Sequence, residues 1–396
     1  MKTLYFDNNA TTQVAPEVLD EMLPYYWEFY GNPSSMHAFG GQLHWKVEEA
    51  RAKVASLIGA EPEEIIFTSC GTESDNTAIM SGVETNPAKK HLITTKVEHP
   101  AVLNFNKHLT RKGYRVTFLS VDTQGRLDKE SLFRTLDEDT AVVSIMYANN
   151  ETGVIFPIED IGPILREKKV IFHTDAVQAV GKLPIRVKDL PVDMLTLSGH
   201  KIHAPKGIGA LYLRKGTRFY PYIIGGHQER GRRAGTENVA YIVGLGKACE
   251  LAEKSLVAEM AYVSRLRDKL EKGLLANCPD ASINGDTQNR LPNTTNISFE
   301  FVEGEAILLL LNEYGICASS GSACTSGSLE PSHVLRAMGV RNTAIHGSVR
   351  FSLSRFNQEK EVDQVIEVMP SIIKELRSLS PFGRDGLAQN VCRPRQ

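Results

Sequence analysis

The chain has 396 residues, 42% hydrophobic and 23% charged, with 47 Asp and Glu against 45 Lys and Arg for a net charge of −2. That length suits two or three domains, or one large α/β domain with an appendage, and the near-balance of charge argues against nucleic acid or an anionic membrane as the main partner. Lys2, Asp7, Asn8 and Asn9 interrupt the N-terminus before an apolar stretch can form, so no secretory signal is expected, and the apolar run from Ala306 to Leu311 is far too short to span a bilayer.

In chain order, residues 64–69 read as a strand, followed by a Cys70-Gly71-Thr72 turn and a helix starting near Glu73. Further strands are expected at 91–96, 115–121, 141–147, 170–175 and 193–198, separated by helical or turn segments, with 208–213 closing the series. Such alternation predicts an open, largely parallel sheet with helices on both faces, whose ligands bind beyond the carboxyl ends of the strands. A long helix is expected over 237–277; in its second half Met260, Val263, Leu266, Leu270 and Leu274 recur at helical spacing. Strands at 295–301 and 349–354 and a helix at 303–313 follow, then an amphipathic helix carrying Val362, Val365, Ile366, Met369, Ile372, Ile373 and Leu376, which Pro370 should kink or limit. The expected organisation is a large domain over 15–260, a smaller α+β domain from 1–14 and 261–379, and a disordered tail over 380–396.

Six cysteines are scattered without a Cys-x-x-Cys pair, so metal-site spacing is absent, no disulfide framework is expected in so large a chain, and a reduced, cytoplasmic setting is the natural one. One of them, Cys324, sits in the run Ala318 to Ser328, among glycines and hydroxyl residues rather than bulky apolar neighbours. It is either an incidental thiol in a linker or a nucleophile on a polar tether.

Asp175 ends one expected strand and Lys201 follows the next, so both would face the ligand crevice. Pyridoxal phosphate needs such a pair: a lysine to bind it covalently and an acid to keep its ring nitrogen protonated. Gly71 and Thr72 offer either a helix N-terminus for a phosphate or an ordinary capping turn; Glu73 and Asp75 suit a phosphate only if they point away. His99 would either stack on an aromatic cofactor and move protons or merely cap a helix. Asn149 and Asn150, at a carboxyl edge, suit orientation of a polar group, although Asn-rich turns occur without function. The glycine-punctuated basic loop Gly225 to Thr236 reads as a phosphate-binding or subunit-interface segment, with a solvated charge run as the alternative. Arg350, alternating with apolar residues on a short strand, suits bidentate capture of a substrate carboxylate, whereas Arg355 reads as a structural ion pair.

With these residues in place the sequence closely resembles the NifS/IscS-type cysteine desulfurases of the pyridoxal phosphate-dependent class-V aminotransferase superfamily. The likeness runs from Tyr5 to about Leu379 through Tyr5–Thr12, Tyr30–Ser35, Thr68–Ser74, Asp175–Gln178, Ser198–Lys201 and Ser319–Ser328; the wording of Gly225–Asn238 is closer to NifS than to the housekeeping branch. The resemblance implies a fold-type-I enzyme, a homodimer that converts L-cysteine to L-alanine and passes the sulfur, as a persulfide on Cys324, to an iron–sulfur scaffold protein of the NifU or IscU type. It implies that Lys201 binds the cofactor covalently, Asp175 pairs with the ring nitrogen, Gln178 bonds the ring hydroxyl and His99 stacks on the ring. Gly71, Thr72, Ser198 and His200 would hold the phosphate, joined by Thr236 from the partner subunit, and Asn150 and Arg350 would bind the substrate carboxylate. The alternatives are a selenocysteine lyase or related lyase or aminotransferase, and a non-catalytic sulfur carrier.

Overall fold

Seven strands form the central sheet of the computed structural model, which describes residues 3–320 and 331–380. Their order is Ile65–Thr68, Gly209–Leu213, Met194–Ser198, Ile171–Asp175, Thr140–Ser144, His91–Thr95 and Arg115–Leu119. Six point the same way, and Gly209–Leu213 alone runs antiparallel to both of its neighbours. The strand expected to close the series is thus inserted beside Met194–Ser198. Only residues 199–208 join those two strands, fewer than a parallel crossover requires, so the chain turns back antiparallel.

Most of these strands are buried along their whole length, which requires cover on both faces. Alternation along each strand assigns the cover. Ile66, Leu92, Val142, Met194 and Leu211 pack toward helices Gly71–Glu84 and Pro100–Arg111. Ile65, Phe67, Ile93, Val143, Leu195 and Tyr212 face the larger core, where helix Ala38–Ile58 contributes Leu43, Val47, Val54 and Ile58. That helix was not among the expected elements. Its glycines and charges hide an apolar stripe that becomes plain once helix Val239–Asn277 packs along it.

A smaller core gathers around a three-stranded antiparallel sheet ordered Ser348–Ser352, Thr294–Phe299, Ala281–Ile283. Leu4 and Phe6 pack into it from the N-terminus, where Leu4–Tyr5 pairs in parallel with Ile316–Cys317. The 39-residue helix Val239–Asn277 serves both cores: Val239 to Ala252 lie in the larger, Val263 to Leu274 in the smaller. Leu291, Val334, Leu335 and Met338, on the far side of residue 260 in sequence, pack into the larger core.

The final helix, Glu359–Leu379, continues through Pro370. Proline removes a hydrogen bond and crowds the preceding turn, a cost of about 3 kcal/mol. Val362 and Val365 before it and Met369, Ile372 and Ile373 after it are all buried in one stripe, and at roughly 1.5–3 kcal/mol per fully buried side chain that burial outweighs the cost. Residues 381–396, which include most of the expected tail, lie outside the described residues.

Candidate active site

The carboxyl edge of the sheet brings together Ser69–Gly71, Glu98–His99, Asn149–Asn150, Asp175–Gln178 and Ser198–Lys201, each following a parallel strand. Lys201 leaves strand Met194–Ser198 through a short 3-10 turn, and its Nζ donates to the carbonyls of Asn9 (2.6 Å) and Ala10 (2.7 Å). Asp175 ends the adjacent strand, buried, with Oδ1 accepting from the Val177 N–H at 2.9 Å. Gln178 donates from Nε2 to the same Asn9 carbonyl (3.0 Å) and accepts from Lys182 Nζ at Oε1 (2.9 Å). His200 meets Thr11 Oγ1 through Nδ1 at 3.2 Å.

Burial pushes the Asp175 carboxyl up to about 6, against the pull of the Val177 N–H and the Lys201 charge. Behind it Asp75, fully buried on helix Gly71–Glu84 and 3.6 Å from His173 Nε2, is pushed well above the usual carboxylate range by burial and by Asp175. The two buried acids titrate as a coupled pair, both raised because neither carboxylate is solvated and each charge opposes the other. His99 caps helix Pro100–Arg111, its Nδ1 accepting from the Ala101 N–H at 3.2 Å, and burial, then Lys201, lowers it to about 4. The imidazole is therefore neutral near pH 7, with Nδ1 engaged and Nε2 left to face another group. His99 is thus a helix cap that also stands at the carboxyl edge of the sheet.

Glu98, next to it, is fully buried, accepts from Thr95 Oγ1 (2.7 Å) and the Met146 N–H, and is pushed by burial to about 8. Its folded value lies above the ordinary 4.5, so the stability it contributes is full below the unfolded value and is lost as pH rises toward the folded one. Glu98→Gln should therefore gain stability relative to the parent between pH 5 and pH 8, on the order of a few kcal/mol. Urea denaturation at the two pH values checks this; a constant difference would contradict it.

Arg350 stands on strand Ser348–Ser352, buried, with NH1 donating to the Asn150 carbonyl (2.9 Å) and NH2 to Asp7 Oδ1 (2.7 Å). Its Nε is buried and meets no acceptor among the described residues. Asn150 enters through its backbone, whose carbonyl also accepts from Asn9 Nδ2 at 3.1 Å. Asn149 is structural: Oδ1 accepts from the N–H groups of Glu151 and Thr152, both at 2.9 Å. Cys324 lies outside the described residues, but both flanks of its run are fixed at this site. Ser319 pairs through its backbone with Arg350, Ser332 Oγ donates to Glu151 Oε2 (2.5 Å), and His333 Nε2 bonds the Glu98 carbonyl (2.9 Å).

The basic loop is neither a solvated charge run nor an open phosphate cradle. Arg51 grips the buried Glu229 carboxylate with NH1 at 2.6 Å and NH2 at 2.9 Å, Arg230 meets Glu48, Arg233 holds Glu73 at 2.8 Å and 3.1 Å, and Arg232 bonds the Glu63 carbonyl. These bonds fasten the loop beside strand Ile65–Thr68 and leave Thr236 exposed. They also turn the Glu73 carboxylate toward Arg233 and Ser69, while Asp75 faces His173.

The residues fit pyridoxal phosphate. Helix Gly71–Glu84 begins two residues earlier than expected, so Thr72 is inside it, not its cap, and Cys70 supplies no side-chain cap to its first-turn amides. Ser198 Oγ is buried with no partner among the described residues. Gly71 is close-packed: a Cβ there would lie 3.0 Å from Val177 Cγ2 and 3.4 Å from Ser198 Cβ. Uncapped amides, an orphan hydroxyl and a glycine at the close approach suit an anion, beside an amine that follows one strand and a carboxylate that ends its neighbour. Asp7 and Asn9, within the Tyr5–Thr12 motif, and Lys182 carry contacts here that the sequence alone assigned to none of them. The polar run Asp7 to Thr12 directly after a buried strand was the available signal, since five polar side chains in six positions need partners wherever they are buried.

The aminotransferase class-V family matches residues 4–365. Cysteine desulfurase of Trichormus azollae is 62% identical over 385 residues, spanning 97% of this chain and 96% of that protein. Cysteine desulfurase NifS of Azotobacter vinelandii is 58% identical over 383 residues, spanning 96% and 95%. A solved NifS-like protein superposes with a TM-score of 0.89 at 43% identity, covering 95% of this chain and all of that one.

Proposed function

This chain belongs to the aminotransferase class-V family, and on that footing we propose that it is a pyridoxal phosphate-dependent cysteine desulfurase that converts L-cysteine to L-alanine and hands on the sulfur. The observation that carries this reading is the convergence of Lys201, Asp175 and the orphan Ser198 hydroxyl at one sheet edge, with both flanks of the Cys324 run fastened to the same place.

Pyridoxal phosphate, when bound, supplies a protonated ring that accepts electrons from the substrate's α-carbon. Lys201 would hold it covalently and carry the α-proton, while Asp175, ionised above about pH 6, would hold the ring nitrogen's proton. Gln178, its amide oriented by Lys182, would serve the ring hydroxyl, and neutral His99 would lie against the ring with Nε2 available to the reacting groups. Gly71, Thr72, Ser198 and His200 take the phosphate. Arg350, its NH1 held by the Asn150 carbonyl, would take the substrate carboxylate, with the Asn150 side-chain amide as a second donor. The Cys324 thiolate attacks the substrate sulfur: an S–S bond forms as the C–S bond breaks, the electron pair returns to carbon, and a proton added there leaves alanine.

The protein acts as a homodimer in this reading, with Thr236 serving the partner's phosphate site. Exposed Trp27, Tyr30, Met36, Trp45 and Ile224 support an apolar contact surface. The sulfur acceptor is an iron–sulfur scaffold protein of the NifU or IscU type, a role suggested by the likeness to NifS. No helix among the described residues is long and apolar enough to cross a membrane, and the thiols of Cys70, Cys249, Cys278 and Cys317 are free, which supports a reducing, cytoplasmic setting.

The test is product stoichiometry. With pyridoxal phosphate and L-cysteine, the purified protein should release L-alanine and persulfide sulfur one to one. A keto acid in place of alanine would indicate an aminotransferase, and turnover of selenocysteine but not cysteine would indicate a selenocysteine lyase.

A further inference from the structure

We propose that Asp7 is a positioning residue for substrate recognition: it fixes the plane of the Arg350 guanidinium so that its remaining N–H groups meet the substrate carboxylate. The proposal rests on the reading of Arg350 as the carboxylate anchor.

Phe6 and Phe351 are both fully buried in the smaller core, their rings meeting edge-on at 6.3 Å and 82°. The Asp7–Ser352 bridge, with the Ser352 N–H on the Phe6 carbonyl (2.7 Å) and the Asn8 N–H on the Ser352 carbonyl (3.2 Å), lays the N-terminal segment along the Arg350 strand. Successive side chains on extended backbone point to opposite faces. With Phe6 and Phe351 turned into the core, Asp7 and Arg350 are turned together toward the Asn150 turn.

There the guanidinium is held at both terminal nitrogens by two separate segments, NH2 by Asp7 Oδ1 at 2.7 Å and NH1 by the Asn150 carbonyl at 2.9 Å. A guanidinium has five N–H donors, so these bonds leave capacity, and the buried Nε has no acceptor among the described residues. Asn150 is itself tied down, because Asn9 Nδ2 donates to the same carbonyl while also donating to Thr294 Oγ1 at 2.8 Å. The Asp7 charge repels an incoming carboxylate. Against this, Arg350 without Asp7 would be a buried cation holding one neutral acceptor, free to swing toward it. Pre-organisation of a fork that must meet a planar carboxylate bidentately outweighs the repulsion of a carboxylate already neutralised by direct pairing.

The experiment measures L-alanine binding to the cofactor-loaded enzyme by calorimetry, with cysteine kinetics alongside. Asp7→Ala should weaken alanine binding by ~10-fold and raise KM for cysteine similarly, with kcat changed no more than about threefold. Asp7→Asn, which keeps an acceptor oxygen without the charge, should restore most of the affinity; a purely structural defect would lower cofactor content and melting temperature in both variants without that rescue. Alanine binding in Asp7→Ala as tight as in the parent, or tighter, overturns the proposal. Arg350→Ala separates the premise: unchanged affinity there removes Arg350 as the anchor, and the role of Asp7 falls with it.

Discussion

Cys324→Ser is expected to leave cofactor content and L-cysteine binding intact while abolishing persulfide formation, lowering alanine production by roughly 10³-fold or more, the scale on which an enzyme loses activity when deprived of its nucleophile. Serine is nearly isosteric with cysteine but has no thiolate to attack sulfur, and its oxygen cannot hold the transferred atom as a persulfide. Incubating the parent with L-cysteine and mapping its peptides should find one added sulfur on the segment containing Cys324. Of the other cysteines, Cys249 is fully buried and pushed far up by desolvation, and Cys278 is raised to about 11 by burial. Both are inert thiols by that measure. Undiminished alanine production in the serine variant would show that the sulfur leaves by another route.

Lys201→Ala should cost about as much for a different reason. It removes covalent attachment of the cofactor and the amine that carries the α-proton, and proton transfer by a positioned group is worth ~10²–10⁴-fold. Borohydride treatment followed by mass analysis separates this from misfolding: the parent retains the cofactor's mass on the peptide bearing Lys201, and the variant does not. The Lys201 amine sits on the carbonyls of Asn9 and Ala10; Gln178 still donates to Asn9, so alanine strips a donor chiefly from the Ala10 carbonyl, and a modest loss of thermal stability should accompany the loss of turnover. Turnover within tenfold of the parent would remove Lys201 from its assigned role.

The strands were legible because they are buried on both faces. A strand covered twice is a continuous apolar run, and residues 64–69, 91–96 and 193–198 frame Ile65–Thr68, His91–Thr95 and Met194–Ser198 to within two residues. Strand order was less accessible. Gly209–Leu213 reads like its parallel neighbours, and only the shortness of the link from Ser198 betrays its reversed direction. In the site, Asp175, Lys201 and Arg350 stand out because each follows or interrupts an apolar run. The basic loop did not declare its role, because Arg51, Glu48 and Glu73, which take up its charges, come from distant stretches of sequence. The segment Asp7–Thr12 stood out as a family motif, but the role of its side chains was hidden for the same reason. Its meaning is in its partners, Arg350, Ser352, Asn150, Thr294, Lys201 and His200, and every one of them is more than a hundred residues away.

Helix Val239–Asn277 has a mechanical consequence. Extending about 60 Å, it is the spine on which both cores are threaded, and its stiffness governs how they share a load. A rod anchored at both ends bends little, so the helix couples the core behind Arg350 to the core beneath the sheet that carries Lys201. Cutting the chain near residue 260 would sever this beam in mid-span and leave each fragment with half a helix and an apolar face exposed to water.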